Sequence, residues 1–334
     1  MRSNTARLAQ ALCLTLVTAA TAHAADYTHY VTGDPRDVVT PTRGLVVLQG
    51  GGDDVDENYV RMGRLGGGGD FVVLRASGAD EYNDYIFDLC ACDSVETLVF
   101  SSRAAAFDPF VIETIEHAEA LFIAGGDQSR YVRFWQGTPV ETAIESVAAK
   151  PAPIGGTSAG MAVLGEFAYS AMSDASLTSE RALSDPFNED LTLARNFLDL
   201  PGMENVITDQ HVEERNRIGR TVALLARLLH DGWTADARAI AADRETALHV
   251  DPATGKAQVF ATAEHETPYV WFLRATHPPE QCAAGKPLVF PDVQVYRIGP
   301  GESFDLDTWR GEGGIAYSFS AEGGTLASSR GEIY

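Results

Sequence analysis

Five short apolar segments, separated by stretches of helical length, constrain the fold of this chain more than any other feature. They lie at 45–48, 71–74, 96–100, 120–124 and 152–155. Amphipathic stretches at 109–118 and 138–149 lie between some of them. Continuous apolar strands that alternate with helices are typical of a parallel sheet covered on both faces. The sequence therefore predicts an α/β fold, with functional residues at the carboxyl ends of the strands.

The fifth apolar segment leads directly into the pentapeptide G-T-S-A-G at 156–160, which a helix-like apolar stretch at 161–166 follows. A strand, a serine flanked by glycines and a helix start are typical of a nucleophile elbow. The glycines allow a sharp turn, and the serine then stands at the positive end of a helix. We predict that Ser158 is a nucleophile.

A serine hydroxyl needs a neighbouring base, and that base needs a group that orients it. His211 follows a predicted strand at 205–208 and precedes a predicted helix at 212–230. In a parallel α/β sheet this position lies at the edge where sites form. We therefore predict that His211 is the base that accepts the Ser158 proton.

Three arginines follow this histidine in an otherwise acidic chain. They are Arg215, Arg217 and Arg220. Guanidinium groups bind carboxylates through paired hydrogen bonds, so the cluster favours a clamp for substrate carboxylates. The alternative is a helix on which these arginines form ion pairs with Glu213 and Glu214.

A second glycine-containing segment, G-G-D-Q at 125–128, ends the strand that precedes the nucleophile strand. Backbone N–H groups of Gly126 or Asp127, together with that of Ala159, could bind an oxyanion. Gln128 could form a hydrogen bond with the substrate. The alternative is an ordinary glycine-rich turn in which Asp127 caps a helix.

The N-terminus differs in composition from the rest of the 334-residue chain. A basic start, an apolar run at 8–20 and the small residues around His23 predict a signal peptide at 1–24, cleaved near Ala24. The run is too short for a membrane span, so we expect a secreted or periplasmic protein. Without Arg2 and Arg7, 23 basic residues remain against 47 acidic ones. Such a charge disfavours nucleic acid as a partner. It either attracts a cationic substrate or only aids solubility.

Cysteines and histidines give little sign of a metal site. Cys90 and Cys92 stand too close to bridge each other comfortably, so we expect a bridge from one of them to Cys282, or three reduced thiols. Without a second cysteine pair or a metal-binding histidine spacing, we predict no metal and no cofactor. The pattern after the signal peptide indicates a domain at 25–250 and a β-rich extension at 251–334.

The motifs at 125–128, 156–160 and 209–220, in this order, resemble the cyanophycinase and peptidase E family of serine peptidases. The D-Q-H sequence and the three arginines are most similar to the cyanophycinase branch. The resemblance implies a flavodoxin-like core, related to class I glutamine amidotransferases and built in three layers, and often a homodimer. It implies hydrolysis of cyanophycin, an aspartate backbone carrying arginines, to β-Asp-Arg dipeptides. It also implies that the substrate groove is lined by Gln128, Asp209, Gln210, Arg215, Arg217 and Arg220, beside Ser158 and His211.

The chain departs from the family pattern at the acid of the triad. The family usually carries this acid in a segment like Ile-Asp-Glu-x-Thr-Ala, whereas residues 241–247 read A-A-D-R-E-T-A. Arg244 therefore occupies the expected acid position. We predict that Glu245 takes the role through a local shift, with Asp243 and Asp174 as the alternatives.

Two other functions fit the same motifs. The first is a dipeptidase for aspartyl or isoaspartyl peptides, which needs a small closed pocket, whereas a polymer needs an open groove. The second is a non-catalytic binding protein that retains the fold, for which Arg244 at the usual acid position is the support.

Overall fold

The computed structural model of the protein describes residues 26–173 and 175–334. The predicted signal peptide at 1–24 and the candidate acid Asp174 lie outside these residues. Among the helices that the model describes, none is both long and apolar enough to cross a membrane.

The helices and strands alternate through the first half of the chain, and strands predominate after α7. The α-helices of the described residues are α1 (Asp56–Leu65), α2 (Asn83–Cys90), α3 (Pro109–His117), α4 (Gln128–Trp135), α5 (Pro139–Ala149), α6 (Ser179–Ser184) and α7 (Ile218–His230). The strands of the first half are β1 (Tyr27–Gly33), β2 (Leu45–Gln49), β3 (Asp70–Arg75), β4 (Ser94–Phe100), β5 (Ala120–Ile123), β6 (Pro153–Thr157) and β7 (Phe167–Tyr169). The later strands are β8 (Leu193–Arg195), β9 (Val206–Asp209), β10 (Ala237–Ala242), β11 (Thr246–Asp251), β12 (Lys256–Ala261), β13 (Val270–Ala275), β14 (Phe290–Ile298), β15 (Ser303–Asp305), β16 (Arg310–Glu312), β17 (Ile315–Glu322) and β18 (Thr325–Ser328).

The first sheet contains the five predicted strands as its parallel centre. Its strand order is β1-β4-β3-β5-β6-β2-β11-β12-β15-β16. Strands β4, β3, β5, β6 and β2 run parallel, and β1 and β11 flank them in antiparallel pairing. The carboxyl ends of β5 and β6 therefore meet at one edge, which brings the segments at 125–128 and 156–160 together.

Successive residues of the central strands face two different hydrophobic clusters, as the pleat of a strand requires. Leu45 and Val47 of β2 pack with residues of α1 and α2, whereas Val46 and Leu48 pack with residues of α3 and α5. Helices thus cover both faces of the parallel strands. This arrangement confirms the predicted three-layer α/β fold.

The second sheet lies next to the first and carries the histidine side of the site. Its order is β18-β17-β14-β13-β10-β9-β7-β8, in which β7, β9 and β10 run parallel. Ile240 and Phe272 of this sheet share a cluster with Leu48 of the first sheet, and residues of α6 and α7 cover its other face. The chain after 251 is rich in strands, as predicted, and these strands extend both sheets.

Three predicted segments differ from the structure. The segment before the first predicted strand, for which the sequence predicts no strand, contains β1, which pairs along its length with β4. The helix predicted at 161–166 is a single 3₁₀ turn, Met161–Val163, after which the chain enters β7. The helix predicted at 212–230 begins only at Ile218, because His211 and Asn216 have φ values of 51° and 49°, which a right-handed helix excludes.

The cysteine pairing also corrects the prediction. Cys90 and Cys92 form a disulfide, and Cys282 is a buried free thiol within the described residues. Ala91 ends α2 in a left-handed conformation with a φ of 51°, which turns the chain and brings the two Cα atoms to 5.2 Å. The intervening residue therefore supplies the geometry that the short spacing seemed to exclude.

Gly160 provides a test of how tightly the elbow packs on the sheet. A Cβ at this position would lie 1.9 Å from the carbonyl oxygen of Ile123, which is backbone and cannot swing aside. We expect Gly160→Ala to lower the free energy of unfolding by about 3 kcal/mol or more in urea denaturation. Gly125→Ala is the matched control, because its Cβ would meet atoms no closer than 3.5 Å. Equal losses in the two variants would contradict this account of the packing.

Candidate active site

Ser158 follows β6 directly, in a sharp turn at the carboxyl edge of the first sheet. Its φ is 53°, in the left-handed region that residues other than glycine rarely occupy. The Ser158 N–H donates to the carbonyl of Gln49 at 3.0 Å, and the Ala162 N–H donates to the carbonyl of Ser158 at 3.0 Å. These bonds hold the strained backbone, and the side chain is half-buried at the edge of the sheet. Backbone strain of this kind is concentrated at functional sites.

His211 follows β9 of the second sheet and reaches across to the elbow. Its own N–H donates to the carbonyl of Gly50 at 2.9 Å, and its imidazole lies against Gly51, where a Cβ would come within 2.2 Å of Nε2. The Ser158 hydroxyl donates to His211 Nε2 at 2.9 Å. The structure therefore brings the predicted nucleophile and the predicted base into hydrogen-bond contact.

The carboxylate that orients His211 is that of Glu214. His211 Nδ1 donates to Glu214 Oε2 at 2.6 Å, which leaves Nε2 as the acceptor because a carboxylate can only accept. The two residues lie in one turn, closed by a hydrogen bond from the Arg215 N–H to the His211 carbonyl at 3.1 Å. The spacing H-x-x-E, which places both side chains on one side of a helical turn, was the available sequence signal for this acid.

The predicted acid Glu245 does not meet the histidine. Its carboxylate accepts hydrogen bonds from Arg244 and, at 3.4 Å, from the Thr262 hydroxyl. The backbone N–H of Glu245 donates to the carbonyl of Gly51 at 2.5 Å. Glu245 therefore holds the loop beside His211 through its main chain and not through its side chain. The alternative Asp243 contacts the backbone of the turn instead of the imidazole. The prediction of Glu245 is therefore corrected to Glu214, on the geometry of the described residues.

The surroundings set the protonation states of this pair. Burial lowers the pKa of His211 below its ordinary value, the positive charges of Arg215 and Arg217 lower it further, and Glu214 opposes both effects. Burial acts to raise the pKa of Glu214, but the hydrogen bond and charge of His211 outweigh it and leave that pKa below its ordinary value. A neutral imidazole therefore faces an ionised carboxylate at neutral pH, which is the state in which Nε2 can accept a proton.

Asp209 and Arg220, both predicted to bind substrate, bind each other. Each side chain is 1% exposed, and they form a buried ion pair with two hydrogen bonds. The Thr221 hydroxyl and the Gln210 N–H also donate to the Asp209 carboxylate, at 2.8 Å each. The pair anchors the end of β9 to α7, so its charges are not available to a ligand.

Arg217 and Arg215 are placed differently from that pair. Arg217 is 6% exposed and donates to the side chain and carbonyl of Gln210 and to the Ser176 hydroxyl. Burial and the neighbouring Arg220 lower its pKa to about 10, so it remains a cation. Arg215 is half-exposed, and its nearest acid is Glu214 at 3.8 Å.

These side chains line a polar cavity of about 300 Å³ next to the serine. Its lining includes Gly126, Asp127, Gln128, Arg133, Ser158, Tyr169, Ser173, Ser176, Gln210, Arg215, Arg217 and the edge of Arg220. Gln128 is 8% exposed and is held by a 3.5 Å contact to the Tyr169 carbonyl. Arg133, on α4, was missed because nothing in the spacing of that helix links it to the other motifs. The cavity combines several guanidinium groups with one carboxylate, so it suits an anionic ligand.

Two of the predicted oxyanion donors, Gly126 and Asp127, line this cavity, and the third, Ala159, directly follows Ser158. Within residues 26–173 and 175–334, the backbone N–H groups of Gly126, Asp127 and Ala159 have no hydrogen-bond acceptor. The Asp127 carboxylate accepts from the Ser129 N–H at 2.9 Å, so it caps α4 as the alternative interpretation expected. The described side chains contain no group of three or more His, Cys, Asp or Glu residues placed to hold a metal ion.

Comparison with known proteins finds similarity to one group of peptidases. The profile of "Peptidase family S51" matches residues 87–185, which include the Gly126 and Ser158 segments. The cyanophycinase of Geminocystis herdmanii is 29% identical over 196 residues, covering 55% of this chain and 68% of the relative. The cyanophycinase of Trichormus variabilis is 27% identical over 276 residues, covering 79% and 86%. These matches support a relationship of the chain to the cyanophycinase and peptidase E family. They indicate that the chain is a serine peptidase.

A solved structure supports the fold of the peptidase. The crystal structure of a peptidase from an acI-B1 actinobacterium matches 79% of this chain and 98% of its own length, with a TM-score of 0.52 and 18% sequence identity. This likeness supports the shared fold.

The buried pair behind the arginine-lined cavity leads to a stability prediction. We expect Asp209→Ala to lower the free energy of unfolding by about 3–5 kcal/mol, because it leaves the Arg220 guanidinium buried without a countercharge. Arg215→Ala is the control and should change stability by less than about 0.5 kcal/mol. Urea denaturation followed by tryptophan fluorescence measures both. An unchanged stability of Asp209→Ala, with only a raised KM, would show that Asp209 binds substrate instead.

Proposed function

We propose that the peptidase is a secreted serine exopeptidase that hydrolyses cyanophycin, multi-L-arginyl-poly-L-aspartate, and releases β-Asp-Arg dipeptides. The observation that carries the proposal is the hydrogen-bonded series Ser158–His211–Glu214 at the mouth of an arginine-lined cavity. The two relatives, both named cyanophycinase, support the choice of substrate.

In the first step, the Ser158 hydroxyl oxygen attacks the amide carbonyl as its proton moves to His211 Nε2. The resulting imidazolium keeps its Nδ1 hydrogen bond to Glu214, whose negative charge stabilises it. His211 then gives the proton from Nε2 to the leaving amine nitrogen as the C–N bond breaks. The products of this step are an acyl ester on Ser158 and a free amine.

In the second step, water attacks the acyl ester, with His211 accepting its proton and returning it to the Ser158 oxygen. The backbone N–H groups of Gly126 or Asp127 and of Ala159 are the proposed donors to the oxyanion in both steps. Their lack of acceptors in the described structure supports this role, because preorganised N–H groups lower the barrier when negative charge develops on the oxygen.

The leaving unit explains why cationic side chains surround the nucleophile. A β-Asp-Arg unit at the end of the polymer carries two carboxylates, one on aspartate and one on arginine. Arg215 and Arg217 are the proposed partners of these carboxylates, while Gln128 and Gln210 bind polar atoms nearby. The protein has 47 acidic against 25 basic residues, and this excess favours a substrate that carries many guanidinium groups.

The proposed location outside the cytoplasm rests on the signal-peptide pattern at 1–24. The disulfide between Cys90 and Cys92 is consistent with an oxidising compartment. A polymer outside the cell would be degraded without prior uptake.

A second candidate substrate is a small aspartyl or isoaspartyl dipeptide. The volume of about 300 Å³ and the guanidinium lining suit a leaving group of that size as well as the end of a polymer. Hydrolysis of dipeptides without release from the polymer would favour this alternative.

Dipeptide release from purified cyanophycin tests the proposed activity. We expect the protein from residue 25 onwards to release β-Asp-Arg, and Ser158→Ala to lose activity on the order of 10⁶-fold. The release is measured by chromatography of the soluble products, and circular dichroism checks that the variant is folded. A folded wild-type protein that releases nothing, yet is sulfonylated at Ser158 by phenylmethylsulfonyl fluoride, would refute the substrate but not the nucleophile. Absence of both reactions would favour the non-catalytic alternative.

The pH dependence tests the assignment of Glu214. Because burial lowers the pKa of His211, the acidic limb of the kcat/KM profile should lie below pH 6.5, the ordinary histidine value. Glu214 raises that pKa, so Glu214→Gln should move the limb to still lower pH while kcat falls about 10²- to 10⁴-fold. Glu245→Gln is the matched control and should leave the limb in place. A shifted limb in Glu245→Gln alone would restore Glu245 as the acid.

A further inference from the structure

Asp243 lies directly behind the turn that carries Glu214. It follows β10, and its side chain is 4% exposed. One carboxylate oxygen, Oδ1, accepts the N–H groups of Glu213 and Glu214 at 3.2 and 3.3 Å. The other oxygen, Oδ2, lies 3.3 Å from Nε2 of His265, in the loop after β12. The carboxylate is therefore shared between the acid-bearing turn and a histidine on the opposite side.

The backbone of this turn needs an external acceptor. The turn at 211–217 begins like a helix, and the leading N–H groups of a helix find no carbonyl within it. In the part of the chain that the structure describes, the Arg215 N–H bonds to the His211 carbonyl, whereas those of Glu213 and Glu214 bond to Asp243. Asp243 thus acts as an N-cap supplied from 30 residues away.

The position of Glu214 makes a fixed backbone important for its contact with His211. Its side chain is 39% exposed, on a turn at the surface, whereas His211 is buried. An exposed carboxylate samples several rotamers unless its backbone is fixed, and holding it costs conformational entropy. Fixing the Glu214 N–H leaves fewer orientations in which its carboxylate misses His211 Nδ1.

We propose that Asp243 is a positioning residue for the proposed reaction. It holds the turn so that the Glu214 carboxylate meets His211, while the His265 imidazole lies 3.3 Å from the other Asp243 oxygen, Oδ2. The inference rests on the function proposed above, in which Glu214 orients the base. Asp243 forms no hydrogen bond with His211 or Ser158 among the described residues, so it acts on the chemistry only through Glu214.

A double-mutant cycle between Asp243 and Glu214 tests this inference. The variants are Asp243→Ala, Glu214→Gln and the combination. Each is measured by the rate constant of Ser158 sulfonylation by phenylmethylsulfonyl fluoride, and by kcat and KM on the substrate that the wild type hydrolyses. We expect Asp243→Ala to lower the sulfonylation rate and kcat about 10- to 100-fold, with KM within about 2-fold. In the Glu214→Gln background the same change should cost less than about 3-fold, because the group it positions is already inactive.

Asp236→Ala is the matched control for a lost acidic partner. Asp236 precedes β10 at the opposite end from Asp243, and it pairs with Arg238 and Arg274. We expect this change to leave both rates within about 2-fold in either background. Asp243→Asn keeps a carbonyl oxygen that can accept the turn N–H groups, so it should recover most of the rate lost in Asp243→Ala.

The outcomes separate failure of the inference from failure of the proposed function. A wild-type protein that the sulfonyl fluoride does not modify would refute the nucleophile and with it the proposed mechanism. If the wild type reacts and the rate losses of the two single variants multiply in the double variant, the positioning role is overturned and the mechanism stands. If Asp243→Ala does not fold, the same cycle with His265→Ala decides. Loss of about 3-fold or more that disappears in the Glu214→Gln background supports the role, and equal loss in both backgrounds overturns it.

Discussion

The packing of the His211 imidazole against Gly51 is the contact on which the site depends. Gly51 lies in the loop after β2 of the first sheet, and His211 lies after β9 of the second, so the contact joins the two sheets at the nucleophile. A Cβ at Gly51 would occupy the place of Nε2. The neighbouring hydrogen bonds from His211 to Gly50 and from Glu245 to Gly51 fix the loop from both sides. Ser158 and its base meet because this loop has no side chain in the way.

Burial divides the arginine cluster into two parts. Arg220 forms a fully buried ion pair with Asp209, which supports the end of β9, while Arg217 and Arg215 face the cavity. A buried guanidinium without a carboxylate would be costly, so the Asp209 charge is needed where it lies. The described hydrogen bonds of Arg217 go to uncharged oxygens of Gln210 and Ser176, which leaves its positive charge available to an anionic group. The same motif thus supplies both structural support and a binding surface.

Local backbone geometry decides which of two glutamates, Glu245 or Glu214, orients His211. Glu245 has a left-handed φ of 54°, and its side chain turns towards Arg244 and Thr262. Arg244 engages this carboxylate, so the segment before β11 supplies no acid to His211. Glu214 takes that role from the turn that carries the histidine itself. Because this acid is partly exposed, the proposed anchor at Asp243 limits the orientations of its turn.

The sequence by itself determined the parallel strands, the elbow at Ser158 and the place of His211, because buried strands, glycine-flanked turns and strand ends leave local patterns. Only the tertiary structure decided which carboxylate reaches the imidazole and which arginine forms the ion pair with Asp209. Those choices depend on left-handed residues that end or redirect the chain and on contacts between two sheets. The H-x-x-E spacing permits the contact between His211 and Glu214, but only packing in three dimensions keeps the other candidate carboxylates among the described residues away from the imidazole.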